Sequence, residues 1–338
     1  MQVDRLSTVW LTTVPDTVGK FTGPVFAEIA ARYFLLPSPT LRPFVGMRIY
    51  SAQARTADVC DAYGDALCNA NLGGGGWNRV HNEGAKDPLL LLLRKHGLRA
   101  KDEVLELFMP AVPVQHRGSM ESSHREQGYV PDLITHLPNA DGALVGTLLE
   151  VKTINLNTTW YRPIGREANV ARAVEGRARA VQKEAEAKLH RKDRRWCGTA
   201  AGETGPLQAT LQAYGRLRGL AFGHIGEASK EVHDLLGAMA AAASLDVARS
   251  LGLRSAKQAT ARMLWQARRV LGCAHWRARA NLLIGRQCRI GVDGGRSGAR
   301  HGNSAAAPGG ETATATARAA AQAGRRDGAA RGGRGAGS

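Results

Sequence analysis

Two carboxylates and a lysine stand at a spacing that could support hydrolytic chemistry. Asp132 lies in Gly128-Tyr129-Val130-Pro131-Asp132-Leu133-Ile134-Thr135-His136-Leu137, and seventeen residues separate it from Glu150 in Leu148-Leu149-Glu150-Val151-Lys152-Thr153-Ile154. Both runs are short, apolar and partly β-branched, the composition of strands. Pro138-Asn139-Ala140-Asp141-Gly142 between them is made of turn residues. A β-hairpin is therefore expected, with an acid on its first strand and an acid plus a lysine on its second. Glu150 and Lys152 are two apart and share a face. If Asp132 pairs across from them, two carboxylates and an ammonium converge. Adjacent carboxylates repel unless a cation lies between them, and a hard oxygen-seeking cation such as Mg²⁺ or Mn²⁺ suits that place. The lysine can hold a water or stabilise a developing oxyanion. A strand end whose Glu and Lys merely face solvent would carry the same letters.

The elements needed to position these groups can be read around them. Asp87 to His96 carries five leucines, has Pro88 at a first-turn position and stops at Gly97, which predicts a helix. Glu103 to Met109 can form a first strand closed by Pro110 and Pro113, or can continue a helix. Glu167 to Arg195 is proline-free and rich in Ala, Arg and Glu, which predicts a long helix. Leu217 to Phe222 can be a last strand, and Ala228 to Leu245 a further helix. Gln208-Ala209-Thr210-Leu211-Gln212 reads equally as helix or strand. Strands joined by long helical crossovers predict an α/β fold.

The Pro-Asp and Glu-x-Lys signature and this order of helix, three strands, helix, strand resemble the PD-(D/E)xK nucleases, the restriction-endonuclease-like superfamily. The resemblance implies a core over residues 78–245. It implies Asp132 and Glu150 as metal ligands, Lys152 as the water-positioning residue, and DNA phosphodiester hydrolysis as the reaction. A second likeness lies upstream. Cys60, Gly64-Asp65, Leu67-Cys68 and His81-Asn82 form a Cys-x₇-Cys-x₁₂-His series. It resembles the zinc-knuckle-like segment that precedes the endonuclease at the C-terminal end of non-LTR retrotransposon proteins. The run from Arg32 to Gly46 resembles the segment before that knuckle, so residues from about Trp10 to Ser244 are expected to be one inherited unit. Tetrahedral zinc needs four ligands. Cys60, Cys68 and His81 supply three, the leading cysteine is absent, and Val80 stands where the family tends to have arginine. The zinc expectation is thus a degenerate site, set against two buried cysteines acting as small apolar residues. A further reading sends His81 and Glu83 to the nuclease site. No polymerase motif accompanies these features, so an endonuclease piece that does not copy RNA is expected.

The chain has 338 residues and a formal net charge of +17. Such a balance suits a polyanion, DNA first and RNA second. Residues 162–195 hold eleven Arg and Lys against five Asp and Glu. Residues 253–290 hold nine basic residues and no acid. Arg172, Arg177, Arg179, Arg262, Arg268 and Arg269 are the candidate phosphate contacts. A catalytically inactive nucleic-acid-binding relic, or an RNA-binding protein acting through its arginines, would show the same charge. No stretch is apolar enough to span a bilayer, and five cysteines in this length make no disulfide framework. An intracellular and specifically nuclear location is expected.

The expected organisation is a remnant module at 1–77, the nuclease-like domain at 78–245, a basic helical region at 246–290 and a disordered Gly/Ala/Arg tail at 291–338. Trp160 and Tyr161 beside Arg162 could stack on a base, although packing is the commoner use. Gln208 or Gln212 could stand near the metal. Gly73 to Gly76 lacks the lysine of a phosphate loop. Arg117 and Arg125 sit in a polar loop leading to Asp132.

Overall fold

A computed structural model describes residues 6–13, 16, 19–50, 58–70, 72, 76–102, 104–117, 130–139, 141–161, 167–215 and 217–291. The expected tail beyond Gly291, and Arg125, lie outside the described residues, while Gly291 itself belongs to a strand. The architecture is mixed α/β. Helices α1 (Gly23–Tyr33) and α2 (Asp65–Asn69) flank a short strand β1 (Arg48–Ile49), and α3 (Gly76–His81) runs through a π-helical turn at Asn82–Lys86 into α4 (Asp87–Lys95). Strands β2 (Ala100–Asp102), β3 (Leu133–Pro138) and β4 (Leu144–Thr153) follow. Next come α5 (Glu167–Lys192), α6 (Pro206–Ala213), β5 (Arg218–Phe222), α7 (Lys230–Ser250), α8 (Ala256–Arg286) and β6 (Ile290–Gly291).

The main sheet has the order β2-β3-β4-β5. The first two pairings are antiparallel and β4 pairs with β5 in parallel. A parallel neighbour cannot be reached by a tight turn, so α5 and α6 form the crossover. Alternation along the strands feeds two layers. Leu133, Leu149, Val151, Leu220 and Phe222 pack with leucines of α4 and with apolar residues of α7 and α8. Leu148 and Ile134 on the other face pack with Val181, Ala185 and Leu189 of α5 and with Leu207 and Leu211 of α6. β1 pairs with β6 away from this sheet.

Particular residues account for three of the element ends. Pro88 sits in the first turn of α4, and Gly97 follows it at φ 78°, a left-handed cap that glycine adopts without strain. In the β3–β4 turn the Asn139 side-chain oxygen accepts from the Asp141 and Ala143 amides at 3.0 and 2.9 Å. Buried Asp193 accepts from the Leu207 and Gln208 amides at 2.9 and 3.0 Å and so caps α6.

The first strand departs from expectation. It is Ala100–Asp102, and Leu105–Leu107 and Met109–Ala111 are 3-10 turns. Tight turns bring Phe108 and Val112 to the same cluster under α5 and α6, where both are buried. Pro110 inside the second turn lacks the N–H a ladder needs. The ambiguous segment 208–212 is helical, within α6. The segments expected at 1–77, 78–245 and 246–290 lie inside one compact unit, Met1–Asp293. Helix α8 is not a solvated basic rod, because Ala259, Met263, Ala267, Leu271, Cys273 and Trp276 bury one side of it. No helix among the described residues is long and apolar enough to cross a membrane.

Gly219 pairs with Glu150 in the β4–β5 ladder, and a Cβ there would meet the backbone carbonyl oxygen of Ala178 on α5. Backbone cannot give way as a flexible side chain would. Gly219→Val is expected to lower stability by roughly 1–3 kcal/mol or more through overpacking. Urea unfolding measures it, and a variant as stable as the wild type would contradict this helix–strand contact.

Candidate active site

The β3–β4 register sets Leu133 opposite Leu149, so Asp132, one residue earlier, stands opposite Glu150. Asp132 Oδ2 accepts from the Val151 amide at 2.7 Å, which fixes its carboxylate to the second strand. Glu150 and Lys152 share the α5 face of β4, and Lys152 Nζ donates to Glu150 Oε1 at 2.5 Å. The expected trio is thus brought to one place where β3 begins and β4 nears its end.

Glu150 is largely buried, its side chain 13% exposed. Its second oxygen, Oε2, is buried and accepts no hydrogen bond. Burial first, and then the charge of Asp132, raise the Glu150 carboxyl above its ordinary range, against the opposing pull of Lys152. Glu150 Oε2 is thus a buried acceptor left without a hydrogen bond beside a second carboxylate.

His81 reaches this site from the end of α3. Its Nε2 lies 3.3 Å from Asp132 Oδ2 and 3.1 Å from the Val151 carbonyl oxygen. A carbonyl oxygen only accepts, so Nε2 carries a proton. Burial alone would lower the His81 pKa. The hydrogen bond and charge of Asp132 outweigh it, helped by Asn82 and Val151, and the net shift is upward. The π turn after His81 brings Gly84 against α8, where an added Cβ would lie 3.0 Å from Ala278 Cβ. Glu83, the other residue considered for this role, is exposed.

Lys188 on α5 was not singled out by the sequence. Its charge interacts with those of both Glu150 and Lys152. No motif carries it. The signal is helical phase, because Val181, Ala185 and Leu189 face the sheet and Lys188 lies at the edge of that stripe.

The zinc series is not brought together. Cys60 and Cys68 are buried in a cluster with Leu41, Ile49 and Leu67, while His81 is engaged at Asp132. Burial, and then Asp61, push the Cys60 thiol up to about 11, and burial raises Cys68 as well. Both cysteines pack as small apolar side chains in that cluster. Among the described residues no group of three or more His, Cys, Asp or Glu side chains is arranged to hold a metal ion. Cys68→Ala is expected to cost about 1 kcal/mol, an ordinary core substitution, and a zinc chelator should leave the melting temperature unchanged. Melting that collapses in chelator would restore the zinc reading.

The arginines expected to hold phosphate are scattered. Arg172 and Arg262 are exposed. Arg177 pairs with Glu184, Arg179 donates to the Glu175 carbonyl, and Arg269 pairs with Asp16. Arg268 is half-buried. Trp160 is exposed and lines an open groove with Asn169, Arg172 and Ala173, whereas Tyr161 donates its hydroxyl to Glu227 at 3.4 Å inside the protein. Gln208 and Gln212 line a different groove with Glu186, His190 and Glu203. Arg117 donates to the Val112 carbonyl at 3.3 Å.

Two buried arginines of α8 tie the N-terminal segment to the sheet. Arg279 donates to the Ile154 carbonyl at 2.7 Å, to Asn155 Oδ1 at 3.3 Å and to the Gly223 carbonyl at 3.5 Å, and stacks on Trp77. Arg286 donates to the carbonyls of Leu67, Cys68 and Ala70. Asp65 accepts from the Thr158 amide and hydroxyl at 2.7 and 2.6 Å. These bonds hold the segment around Cys60 and Cys68 against the chain that leaves β4, next to the carboxylates.

No family model, no curated protein and no solved structure matches the chain.

Proposed function

We propose that the protein is a metal-dependent DNA endonuclease with a restriction-endonuclease-like core, of the kind found at the end of non-LTR retrotransposon proteins. The observation that carries this reading is the buried, unpartnered Glu150 Oε2 beside the Asp132 carboxylate, with Lys152 two residues on. The order of helix, three antiparallel strands, crossover helix and parallel strand supports it as well.

Asp132 and Glu150 would hold Mg²⁺ or Mn²⁺ through hard oxygen ligands. Such an ion supplies Lewis-acid polarisation of a phosphoryl oxygen and a more acidic bound water. The protein's own groups do the rest. The Val151 amide and His81 Nε2 hold the Asp132 carboxylate in place. Lys152 places a fixed positive charge beside Glu150, where it can orient water and steady charge as the phosphodiester breaks. The net charge of +17 draws the substrate in.

The test is incubation of the full chain with labelled duplex DNA and Mg²⁺ or Mn²⁺. Strand breaks that stop on addition of EDTA are expected. DNA that is bound but left intact with both metals overturns the enzymatic reading in favour of an inactive binding module.

A further inference from the structure

The chain leaving β4 is held on both sides of Trp160. Thr158 to Trp160 form a 3-10 turn, and buried Thr158 donates its amide and hydroxyl to Asp65 at 2.7 and 2.6 Å. On the other side the Tyr161 hydroxyl donates to Glu227 at 3.4 Å. With its flanks fixed inward, the turn presents the indole outward, 42% exposed. Tryptophan is usually far more buried than this. Trp265 is as exposed, at 46%, but Arg269 lies over its ring, 5.4 Å from the centre. Among the described residues no cation or second ring covers Trp160.

The groove beside it is lined by Trp160, Asn169, Arg172 and Ala173 and has a volume of about 420 Å³. That lies within the roughly 300–1,000 Å³ of sites that take one small ligand, and it suits a single nucleotide. Asn169 and Arg172 are three apart near the start of α5, so they are neighbours on one face of the helix. Neither side chain hydrogen-bonds or ion-pairs with another described residue. Glu175, the acid one turn beyond Arg172, accepts instead from the Lys230 amide at 2.5 Å. The lining thus offers an aromatic ring, an amide with its donors and acceptor free, and a cation, with no acid among them.

We propose that this groove holds one unpaired base of a DNA strand, stacked on Trp160, with Asn169 on the base edge and Arg172 on the adjoining phosphate. A base inside a duplex has its faces covered by its neighbours, so only an unpaired or flipped base can offer one to the indole. An apolar peptide side chain would use the ring but leave Arg172 and Asn169 without partners, whereas a nucleotide meets all three. The net charge of +17 draws such a strand in. Every base has a π face, so the subsite holds unpaired strand without reading its sequence. Taking this strand as the substrate of Asp132 and Glu150 rests on the endonuclease reading, while the stacking is measurable without it.

The experiment measures binding of the full chain to a labelled oligothymidine strand and to its abasic counterpart of equal length and charge. EDTA keeps both strands whole, and the salt concentration is varied. The wild type should bind the strand with bases roughly 5- to 150-fold more tightly, the usual worth of one stacked base. Trp160→Ala should lose that preference and bind the abasic strand as the wild type does. Trp160→Phe keeps a ring and should recover most of the preference. Arg172→Gln should reduce the slope of log affinity against log salt by about 0.7, the share of one phosphate contact on a single strand. Equal binding of the two strands by the wild type overturns the subsite, and this comparison needs no variant. A Trp160→Ala protein that is folded by circular dichroism and keeps the full preference overturns it as well. The two readings fail separately. A wild type that never cuts DNA but prefers the strand with bases keeps the subsite and loses the nuclease. A wild type that cuts DNA yet binds both strands alike keeps the nuclease and loses the subsite.

Discussion

Lys152→Ala is expected to lower the rate of metal-dependent DNA cleavage by roughly 100- to 1,000-fold, the usual cost of removing one preorganised charge-stabilising group, with binding and folding little changed. Lys152 donates to Glu150 Oε1 at 2.5 Å from a side chain 27% exposed, so its removal opens no core cavity. It removes the cation that two residues of spacing place beside the buried carboxylate. Glu150 would then have less to oppose burial and the Asp132 charge, which already raise its pKa. Single-turnover cleavage at saturating Mg²⁺ separates this from weaker metal binding. A variant that cuts at the wild-type rate would remove Lys152 from the chemistry.

The second large effect is on stability. Arg279 is 3% exposed and its guanidinium serves the carbonyls of Ile154 and Gly223 and the side chain of Asn155. Burial lowers its pKa to about 10, so it remains a cation at neutral pH. His224 lies between Arg279 and Arg32, where burial and then those two charges hold it neutral. Arg279→Met keeps the length of the stem but strands these acceptors. It is expected to cost roughly 3 kcal/mol or more, because each buried acceptor left without a donor costs about 1–3 kcal/mol. Urea unfolding followed by tryptophan fluorescence measures the loss. A cost below about 1 kcal/mol, that of an ordinary substitution, would mean that Arg279 does not anchor α8 to the ends of β4 and β5.

These two residues show how far the sequence can be read. The Lys152 neighbourhood is local. Turn residues at 138–142, alternation in the flanking runs and the two-residue step from Glu150 to Lys152 together dictate a hairpin with one polar end. The same holds for α4, bounded by Pro88 and Gly97. Arg279 is different. In sequence it belongs to a run of nine basic residues without an acid, which reads as a solvated or phosphate-binding helix. Its burial depends on carbonyls more than fifty residues away, and no local pattern reports them. His81 is an intermediate case. The spacing to Cys60 and Cys68 suggests zinc, but the fold gives the imidazole to Asp132 because the π turn aims that end of α3 at the strand. The segment 103–109 reads equally as strand or helix, and over Leu105–Leu107 and Met109–Ala111 it is instead 3-10 turns that carry Phe108 into the core. Lys188 becomes visible only once the phase of α5 on the sheet is known.

The most direct measurement is Mn²⁺ binding by the full chain, followed by electron paramagnetic resonance, for the wild type beside Asp132→Asn and Glu150→Gln. The carboxylate pair predicts a site in the wild type that either substitution removes while circular dichroism stays unchanged. Equal Mn²⁺ binding by all three proteins, or none by the wild type, would contradict a metal centre at Asp132 and Glu150.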